Sequence, residues 1–297
     1  MNIIRGTYTH SRVALVYGEP GIGKTTLAAR VGQIRPTLLL DLEGRSGHVS
    51  VDRAIIDDWS ALRAALSEAQ RLPYDIVCID TLDRAQDLAV HALLQARGWD
   101  SIEAPGYGRG YVELRSAMLA LADDIEALRQ SGRGILLLAH AMRQRVEDPV
   151  HGEWDRWSVK LHDAARSSVA ALFIERVDVI ALAACAVARV GRDDARTARL
   201  GERMLYTTPH AGRLTKCVCE PVDMPLDQAP AWLSAALVPT EASADRDAAR
   251  KAYEEIERRL GGREAVRALL RERGLSARTM SAEQWRALLA EVEEVPE

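Results

Sequence analysis

The sequence lacks the features of membrane and secreted proteins. Its longest nearly apolar run, Val179–Ala188, spans ten residues, whereas a transmembrane helix needs about 20. Residues 1–12 contain no apolar stretch of the kind found in signal peptides. Four cysteines in 297 residues are too few for a disulfide-based scaffold. These absences predict a cytoplasmic protein without a membrane partner.

The sequence also lacks an excess of basic residues. Lys and Arg total 39 against 43 Asp and Glu, which gives a net charge of -4. No global positive field is therefore available to attract nucleic acid. If DNA is a partner, its contacts must be local and multiplied by oligomerisation. Only Lys24, Lys160, Lys216 and Lys251 are lysines, so each of them merits inspection.

Short apolar segments alternate with helical segments through most of the chain. Such alternation predicts an α/β fold, with a mainly parallel sheet and helices on both faces. The predicted strands are Val13–Tyr17, Thr37–Leu42, Ile76–Asp80, Ile135–Ala139 and Val177–Leu182. The predicted helices are Thr25–Gln33, Trp59–Arg71, Ala85–Ala96, Tyr111–Gln130 and Ala164–Arg176.

The last third of the chain changes character. A charged loop, residues 189–202, precedes a predicted hairpin of two strands, Arg203–Thr208 and Leu214–Val218. A linker with prolines, Pro225–Pro239, then leads to a helical tail. We expect two domains, a core at residues 1–238 and a small helical region at residues 239–297. The predicted tail helices are Asp245–Leu260, Arg263–Gly274 and Ala282–Glu293.

A phosphate-binding loop follows the first predicted strand. Residues 18–25 fit the pattern G-x-x-x-x-G-K-[ST] in full, between a strand and a helix. Backbone N–H groups of such a loop surround phosphates, and the helix N-terminus adds partial positive charge. Lys24 should reach the β- and γ-phosphates of ATP, and the Thr25 hydroxyl should bind Mg²⁺. The predicted nucleotide-binding residues are Gly18, Glu19, Pro20, Gly21, Ile22, Gly23, Lys24, Thr25 and Thr26.

Polar residues at the ends of three other strands complete the predicted catalytic set. Asp80 ends a buried strand, where ligands bind in open α/β sheets, and is predicted to hold Mg²⁺. Glu43, on the same strand face as Asp41, is a candidate general base or water-positioning residue. The alternative for Glu43 is a solvated carboxylate. His140 is a candidate sensor of the γ-phosphate, or else a residue that merely caps its strand.

Two insertions carry candidate DNA contacts. In the first, Ala141–Asp163, alternation places Trp154, Arg156 and Lys160 on one face of a predicted β-hairpin. Aromatic and basic side chains on one face suit single-stranded DNA, but an arm that packs on a neighbouring subunit fits as well. The second, Gly98–Gly110, offers Tyr107 and Arg109 as a stacking loop, or alternatively as a lid.

These motifs together resemble the RecA-like ATPases, in particular phage-encoded AAA-type proteins related to Sak-type single-strand annealing recombinases. The resemblance covers residues 10–225 and is strongest in VALVYGEPGIGKTTLA, VCIDTLDRAQDL and ILLLAHAMRQRVEDP, and looser in LYTTPHAGRLTK. The N-terminal helical domain of RecA is missing, and the tail after residue 240 has no clear counterpart in it.

The resemblance implies an ATPase that oligomerises on single-stranded DNA, as a ring or a filament, in recombination or annealing. A single-stranded-DNA-binding protein would be a natural partner. It also implies a basic residue acting in trans on the next subunit's site, for which Lys216 is the first candidate and Arg203 the second. A helicase or helicase loader, or a nucleotide-switched oligomeric regulator that does not bind DNA, is the alternative function.

Overall fold

The computed structural model describes residues 10–190, 197–239, 241–260, 262–273, 275 and 282–293. Residues 10–238 form one compact unit, and the described residues from 239 onward belong to a second. None of the helices in these ranges combines the length and the apolar composition that crossing a membrane requires.

A ten-stranded sheet organises the first unit. Its strand order is β10-β8-β7-β1-β5-β4-β2-β3, while β6 pairs with β5 and β9 with β7. The strands from β7 to β3 in that order are parallel, which confirms the predicted fold class. The strands are β1 Val13–Gly18, β2 Thr37–Asp41, β3 Asp52–Ile55, β4 Ile76–Asp80, β5 Gly134–Asp148, β6 Gly152–Val159, β7 Val179–Val190, β8 Thr197–Tyr206, β9 Lys216–Cys217 and β10 Met224–Pro225.

Helices cover both faces of this sheet, and side-chain caps fix where several of them begin. Thr81 caps α3 through Arg84 N–H, and Ser168 caps α5 through Ala171 N–H. The predicted helix Ala164–Arg176 corresponds to α5. Its predicted start at Ala164 was wrong, because the Ser168 cap places the start at Val169. The helices are α1 Lys24–Gly32, α2 Trp59–Ala69, α3 Leu82–Arg97, α4 Arg109–Gln130, α5 Val169–Arg176 and α6 Ala229–Leu237.

The hydrophobic core lies in two layers, one on each face of the sheet. Alternate residues of β1 show the division, since Leu15 belongs to one layer and Ala14 and Val16 to the other. The first layer takes its helical residues from α2, α3, α4 and α5, and the second from α1 and α6. The sheet is therefore buried on both faces, as its continuous apolar strands predict.

The register of the parallel strands brings their carboxyl ends together. Gly18 of β1 lies opposite His140 of β5, and Asp41 of β2 lies opposite Asp80 of β4. Because β4 also pairs directly with β5, Asp41, Asp80 and His140 lie at one edge of the sheet, beside the end of β1 at Gly18.

The predicted hairpin in the first insertion is present but longer than expected. Rather than ending at Ala139, β5 continues without a break to Asp148 and pairs with β6 over Ala141–Asp148. Backbone N–H groups of Val150 and His151 donate to the Asp148 side chain at 2.8 Å and close the turn. One strand therefore joins the buried sheet to the projecting hairpin.

The second predicted hairpin was wrong. β9 pairs with β7 rather than with β8, and β8 pairs with β7 and β10. The physical reason is that β8 covers the edge of β7 only from Leu182 onward, which leaves Val179 and Ile180 for β9 to pair with. Most of the predicted charged loop also belongs to strands β7 and β8, and residues 191–196 lie outside the described residues.

The segment predicted as a linker contains helix α6, with Leu233 and Leu237 fully buried. The second unit consists of α7 Glu241–Leu260, α8 Arg263–Glu272 and α9 Ala282–Glu293. These helices bury Ile256, Val266 and Trp285 in a core of their own. The predicted ends at Leu260 and Glu293 agree with the structure, and Gly274 lies outside the described residues.

Candidate nucleotide site

The P-loop connects β1 to α1 in the predicted order of strand, loop and helix. Gly23 adopts a left-handed conformation, with φ of 112°, and forms the N-cap of α1 without a side-chain hydrogen bond. This conformation favours glycine, since a Cβ atom would strain it. The first N–H groups of α1 have no partners within the helix, so this end can receive phosphate oxygens.

Lys24 lies at the floor of the site and is 6% exposed. Its Nζ atom donates to the carbonyl oxygens of Gly18 at 3.0 Å and Glu19 at 3.1 Å. Burial lowers the pKa of Lys24, and the nearby Asp80, Asp83 and Glu43 carboxylates oppose that change. The P-loop thus holds the Lys24 ammonium group. The same loop is expected to bind the phosphates that this group should contact.

Thr25 and Asp80 form a direct pair. The Thr25 hydroxyl donates to Asp80 Oδ2 at 2.7 Å. Burial raises the pKa of Asp80 to about 6, helped by the negative charges of Glu43 and Asp41, although the Thr25 hydrogen bond and Lys24 act in the opposite direction. A buried carboxylate in this negative environment is well suited to a cation.

This pair fits Mg²⁺ better than a metal held entirely by protein. The described residues contain no group of three or more His, Cys, Asp or Glu side chains arranged for a metal. Mg²⁺ is commonly bound by one or two protein oxygens together with water and substrate phosphates. Thr25 and Asp80 supply such a set of hard oxygen ligands.

Glu43 and Asp41 have different roles in the structure. β2 ends at Asp41, so Glu43 lies in the turn beyond it, and the expectation that both share a strand face was wrong. Asp41 accepts backbone N–H groups of Glu43, Gly44 and Ser46 at 2.8–3.1 Å. Burial would raise the pKa of Asp41, but these hydrogen bonds outweigh it and lower the pKa. Asp41 therefore fixes the turn that presents Glu43.

The Glu43 carboxylate remains available to solvent on one side. Its Oε1 atom accepts the Thr81 hydroxyl at 3.2 Å and lies 3.9 Å from His140 Nδ1. Its side chain is 30% exposed, so water can reach it. Proximity to Asp80 and His140 keeps Glu43 as the candidate base or water-positioning residue.

His140 has a partner that the sequence analysis missed. Asp83 Oδ1 accepts the His140 backbone N–H at 2.9 Å, and Asp83 Oδ2 lies 2.8 Å from His140 Nδ1. This contact places the proton of neutral His140 on Nδ1, which leaves Nε2 as the acceptor. The sequence signal that could have identified this partner is an acidic residue in the first turn of α3, three positions after Asp80.

The end of the P-loop lines one cavity of about 700 Å³ together with Glu43, Asp80, Asp83 and His140. Its size is within the usual range of ligand sites. Both signs of charge are present, with carboxylates around the metal position and basic groups on the walls. The charged and histidine residues that line it are Lys24, Glu43, Arg45, His48, Asp80, Asp83, Arg84, Asp87, His140, Lys160 and Arg203.

Lys160, Arg203 and Lys216, the basic residues predicted to contact DNA or to act in trans, have the following places in the structure. Lys160, predicted on the DNA face, lines this cavity, and its backbone N–H donates to His140 O at 2.8 Å. Arg203, a candidate for action in trans, lines the cavity of its own chain. Lys216 donates from Nζ to the carbonyls of Ile174 and Glu175 at the end of α5, at 3.2 and 3.1 Å.

The other predicted DNA-binding residues divide into two groups. Trp154 and Arg156 are half-buried. The indole N–H of Trp154 donates to Ala211 O at 2.9 Å, and Arg156 Nη2 donates to Gln144 at 3.0 Å. Tyr107, by contrast, is fully exposed, and Arg109 is exposed at the start of α4.

The comparison with known families agrees with this geometry. A family described as an AAA domain matches residues 10–217. The chain belongs to the AAA domain family. This AAA domain is an AAA-type P-loop ATPase that binds nucleotide, and its family match includes β1 through β9 and the complete P-loop. None of the curated proteins compared with it is similar enough to count as a match.

Proposed function

We propose that this AAA domain hydrolyses ATP with Mg²⁺ and uses the reaction to act on single-stranded DNA in recombination or annealing. The observation that carries the proposal is the continuity of β5. The strand that places His140 in the nucleotide cavity runs on as the first strand of the hairpin. A change at the γ-phosphate can therefore reach a projecting arm through one rigid element.

The polar groups nearest the P-loop each have a role in hydrolysis. Lys24 and the P-loop N–H groups neutralise and orient the phosphates. Thr25 and Asp80 would hold Mg²⁺, which would supply charge stabilisation on the phosphoryl oxygens. Glu43 orients a water molecule and accepts its proton, and His140, fixed by Asp83, contacts the γ-phosphate side of the cavity.

The hairpin is joined to the P-loop strand by a second contact. The Tyr17 hydroxyl, one residue before Gly18, donates towards the carbonyls of Trp157 at 3.0 Å and Leu214 at 2.8 Å and accepts Leu214 N–H at 3.0 Å. Tyr17 is fully buried. Movement of β1 relative to β6 would break these bonds, so the P-loop strand and the hairpin should move together.

The exposed loop 98–110 is the better candidate for DNA contact. Tyr107 offers a free aromatic ring and Arg109 a free guanidinium, the groups that single-stranded DNA binding uses. The Tyr111 ring stacks on His162 at 4.2 Å, which ties the start of α4 to the segment just after the hairpin. The loop and the hairpin therefore lie at the same end of the sheet.

A nucleotide-switched oligomeric regulator is the second candidate function. The hairpin's arginines already have partners within the hairpin, which favours a protein contact over a DNA contact. Arg145 pairs with Glu153, Arg156 donates to Gln144, and Arg143 lies 5.0 Å from the centre of the Trp157 ring. In either function we expect a homo-oligomer, a ring or a filament, and in the DNA function a single-stranded-DNA-binding protein as partner.

The test combines ATP turnover, DNA binding and particle size. Turnover should rise with single-stranded DNA more than with duplex, and a labelled oligonucleotide should bind more tightly with a non-hydrolysable ATP analogue. Tyr107→Ala with Arg109→Ala should weaken this binding by at least tenfold, on the scale of about 1–3 kcal/mol for one stacked base.

The matched control is Ile34→Ala with Arg71→Ala, which removes an exposed apolar and an exposed basic side chain near the opposite ends of the strands. This control should bind DNA as the wild type does. ATP-dependent change of size by light scattering, with no DNA binding and no stimulation, would replace the DNA proposal with the regulator. Strand separation of a duplex would indicate a helicase instead.

A further inference from the structure

The nucleotide cavity contains a lysine that belongs to neither the P-loop nor the metal position. Lys160 lines this cavity together with Glu43, Asp80 and His140, and its side chain is exposed there. In the part of the chain that the structure describes, no hydrogen bond or salt bridge engages the Lys160 side chain. Its ammonium group is therefore available to an anionic ligand.

The backbone fixes Lys160 beside His140. The hairpin strand β6 ends at Val159, and the next N–H, that of Lys160, donates to His140 O at 2.8 Å. Leu161 N–H then donates to Val159 O at 2.9 Å, which closes a three-residue turn with Lys160 at its centre. Of the cavity's cations in the described ranges, Lys160 is the one whose backbone is bonded to His140.

The residues on either side direct the Lys160 side chain towards the cavity. Val159 and Leu161 are 1% and 5% exposed and belong to the first core layer. Because successive side chains of an extended segment point to opposite sides, Lys160 points away from that layer. His162 N–H donates to Gln86 Oε1 at 2.8 Å, which attaches the segment to α3. The segment that carries Lys160 is thus anchored both to the core and to a helix.

We propose that Lys160 contacts the terminal phosphate of ATP in its own subunit and stabilises the charge that develops there during hydrolysis. This inference rests on the proposed ATPase function of the same site. In that function Glu43 and His140 face the γ-phosphate, and the backbone bond to His140 brings Lys160 to the same side of the cavity. An ammonium group offers three N–H donors, and a cation there favours the transition state because negative charge spreads over the transferred group.

This position in cis differs from what the resemblance to RecA-like ATPases implies. That resemblance assigns the completing positive charge to a basic residue of the next subunit. Lys160 would supply such a charge within one chain. Because Lys160 directly follows β6, the position of this charge depends on the position of the hairpin.

Replacement by methionine tests the contribution to turnover. Lys160→Met nearly keeps the length of the side chain and removes its charge. Steady-state ATP turnover without DNA should fall by about a hundredfold, the scale for loss of one preorganised transition-state donor, with ATP affinity within a few-fold. Lys251→Met is the matched control, since Lys251 is an exposed lysine of the second unit, and it should keep wild-type turnover.

Ligands with and without the terminal group separate a phosphate contact from a structural role. ADP lacks the γ-phosphate, so wild type and Lys160→Met should bind it equally well. ADP with aluminium fluoride mimics the transferring phosphoryl group and should bind Lys160→Met about tenfold or more weakly than wild type. Calorimetry in the presence of Mg²⁺ measures both affinities.

The outcomes separate this inference from the function on which it rests. Wild-type protein that neither binds nor hydrolyses ATP would contradict the proposed function itself. With active wild type, three results in folded Lys160→Met would overturn the inference and leave the ATPase proposal intact. They are unchanged basal turnover, equal weakening of ADP with and without aluminium fluoride, and weaker DNA binding at unchanged basal turnover. The last would return Lys160 to the predicted DNA face, and circular dichroism verifies the fold.

Mixing two inactive variants tests action in cis. Lys24→Ala subunits should bind no productive ATP but carry an intact Lys160. If Lys160 acts within its own subunit, a mixture of Lys24→Ala and Lys160→Met turns over ATP no faster than the sum of the separate proteins. Recovery of turnover in the mixture would show that Lys160 acts on a neighbouring subunit and would overturn the inference.

Discussion

The nucleotide cavity and the hairpin of β5 and β6 were both predicted from sequence patterns, and the structure surrounds their predicted residues differently. The P-loop, Asp80 and Glu43 meet in one cavity, as expected. The hairpin forms, and two residues of its predicted DNA face make contacts within the chain. Trp154 donates its indole N–H to Ala211 O, and Arg156 donates to Gln144.

The difference lies in where each region finds its partners. The cavity is built from a contiguous motif and from residues that end neighbouring parallel strands, so strand order alone brings them together. The hairpin is fixed by a loop more than 50 residues further along the chain. Alternation along one strand shows which residues share a face, but not what covers that face.

Removing Lys24 is the strongest test of the cavity. Lys24→Ala should abolish ATP turnover, because the ammonium is the cation predicted to contact the phosphates. Thermal unfolding should change little, since the ammonium contacts only two P-loop carbonyls. Steady-state ATPase and melting curves measure both effects, and normal turnover in purified Lys24→Ala would contradict the P-loop assignment.

The roles of Glu43 and Asp41 can be separated by replacing each carboxylate with the corresponding amide. Glu43→Gln should lower turnover by about a hundredfold or more, the scale of general-base loss, with ATP affinity within a few-fold. Asp41→Asn should instead destabilise the protein, because Asp41 accepts three N–H groups in the turn. Single-turnover kinetics and urea unfolding measure the two effects. Parallel loss of ATP binding and turnover in Glu43→Gln would mean that Glu43 has a structural role.

Asp80 gives a pH-dependent prediction for the metal-free protein. Burial raises its pKa to about 6 in the folded state, from an ordinary value of 3.8, so ionisation destabilises the folded state as the pH rises from about 4 through 6. Asp80→Asn should be more stable than wild type at pH 8, by about 2–3 kcal/mol, and nearly equal to it below pH 4. Urea unfolding at both pH values, without Mg²⁺, measures the difference.

Addition of Mg²⁺ with nucleotide provides the control for Asp80. Ligand binding stabilises only the form that binds it, so adding Mg²⁺ to the nucleotide-bound proteins should raise the stability of wild type further than that of Asp80→Asn. The same stability difference at pH 4 and pH 8 would argue against a buried, unfavourably ionised Asp80.

A Tyr17 variant tests the coupling between the nucleotide cavity and the hairpin. Tyr17→Phe removes a hydroxyl that makes three hydrogen bonds to β6 and the loop before β9. Trp157 O and Leu214 N–H still pair with each other at 2.9 Å, but the Leu214 carbonyl loses its bond to the hydroxyl, which should cost about 1–3 kcal/mol of folding free energy. If the hydroxyl also couples the regions, stimulation of turnover by DNA should fall more than the basal rate. An unchanged ratio of the two rates would limit Tyr17 to a structural role.

The smallest expected effect belongs to Trp154. Trp154→Phe keeps an aromatic ring and removes the N–H that donates to Ala211 O, so stability should fall by about 1 kcal/mol. DNA affinity should stay near that of the wild type, as should nucleotide affinity. Weaker DNA binding in Trp154→Ala, which also removes the ring, with Trp154→Phe still binding normally, would restore the predicted stacking role of Trp154.

The sequence by itself determined the parallel sheet, the P-loop and the position of Asp80. Buried parallel strands are apolar throughout, and a phosphate loop needs glycines and a lysine at fixed spacing, so both signals are local. The helix ends at Leu260 and Glu293 were likewise readable from composition and periodicity.

Only the tertiary structure decided the contacts between distant segments. Asp83 is bonded to His140 across 57 residues, Arg203 lies on Gly23 across the sheet edge, and β9 pairs with β7 instead of β8. Each depends on which strand edge is left unpaired and which side chain the register brings to it. A pattern along one segment contains no information about either, because pairing is settled by competition among all the edges of the folded chain.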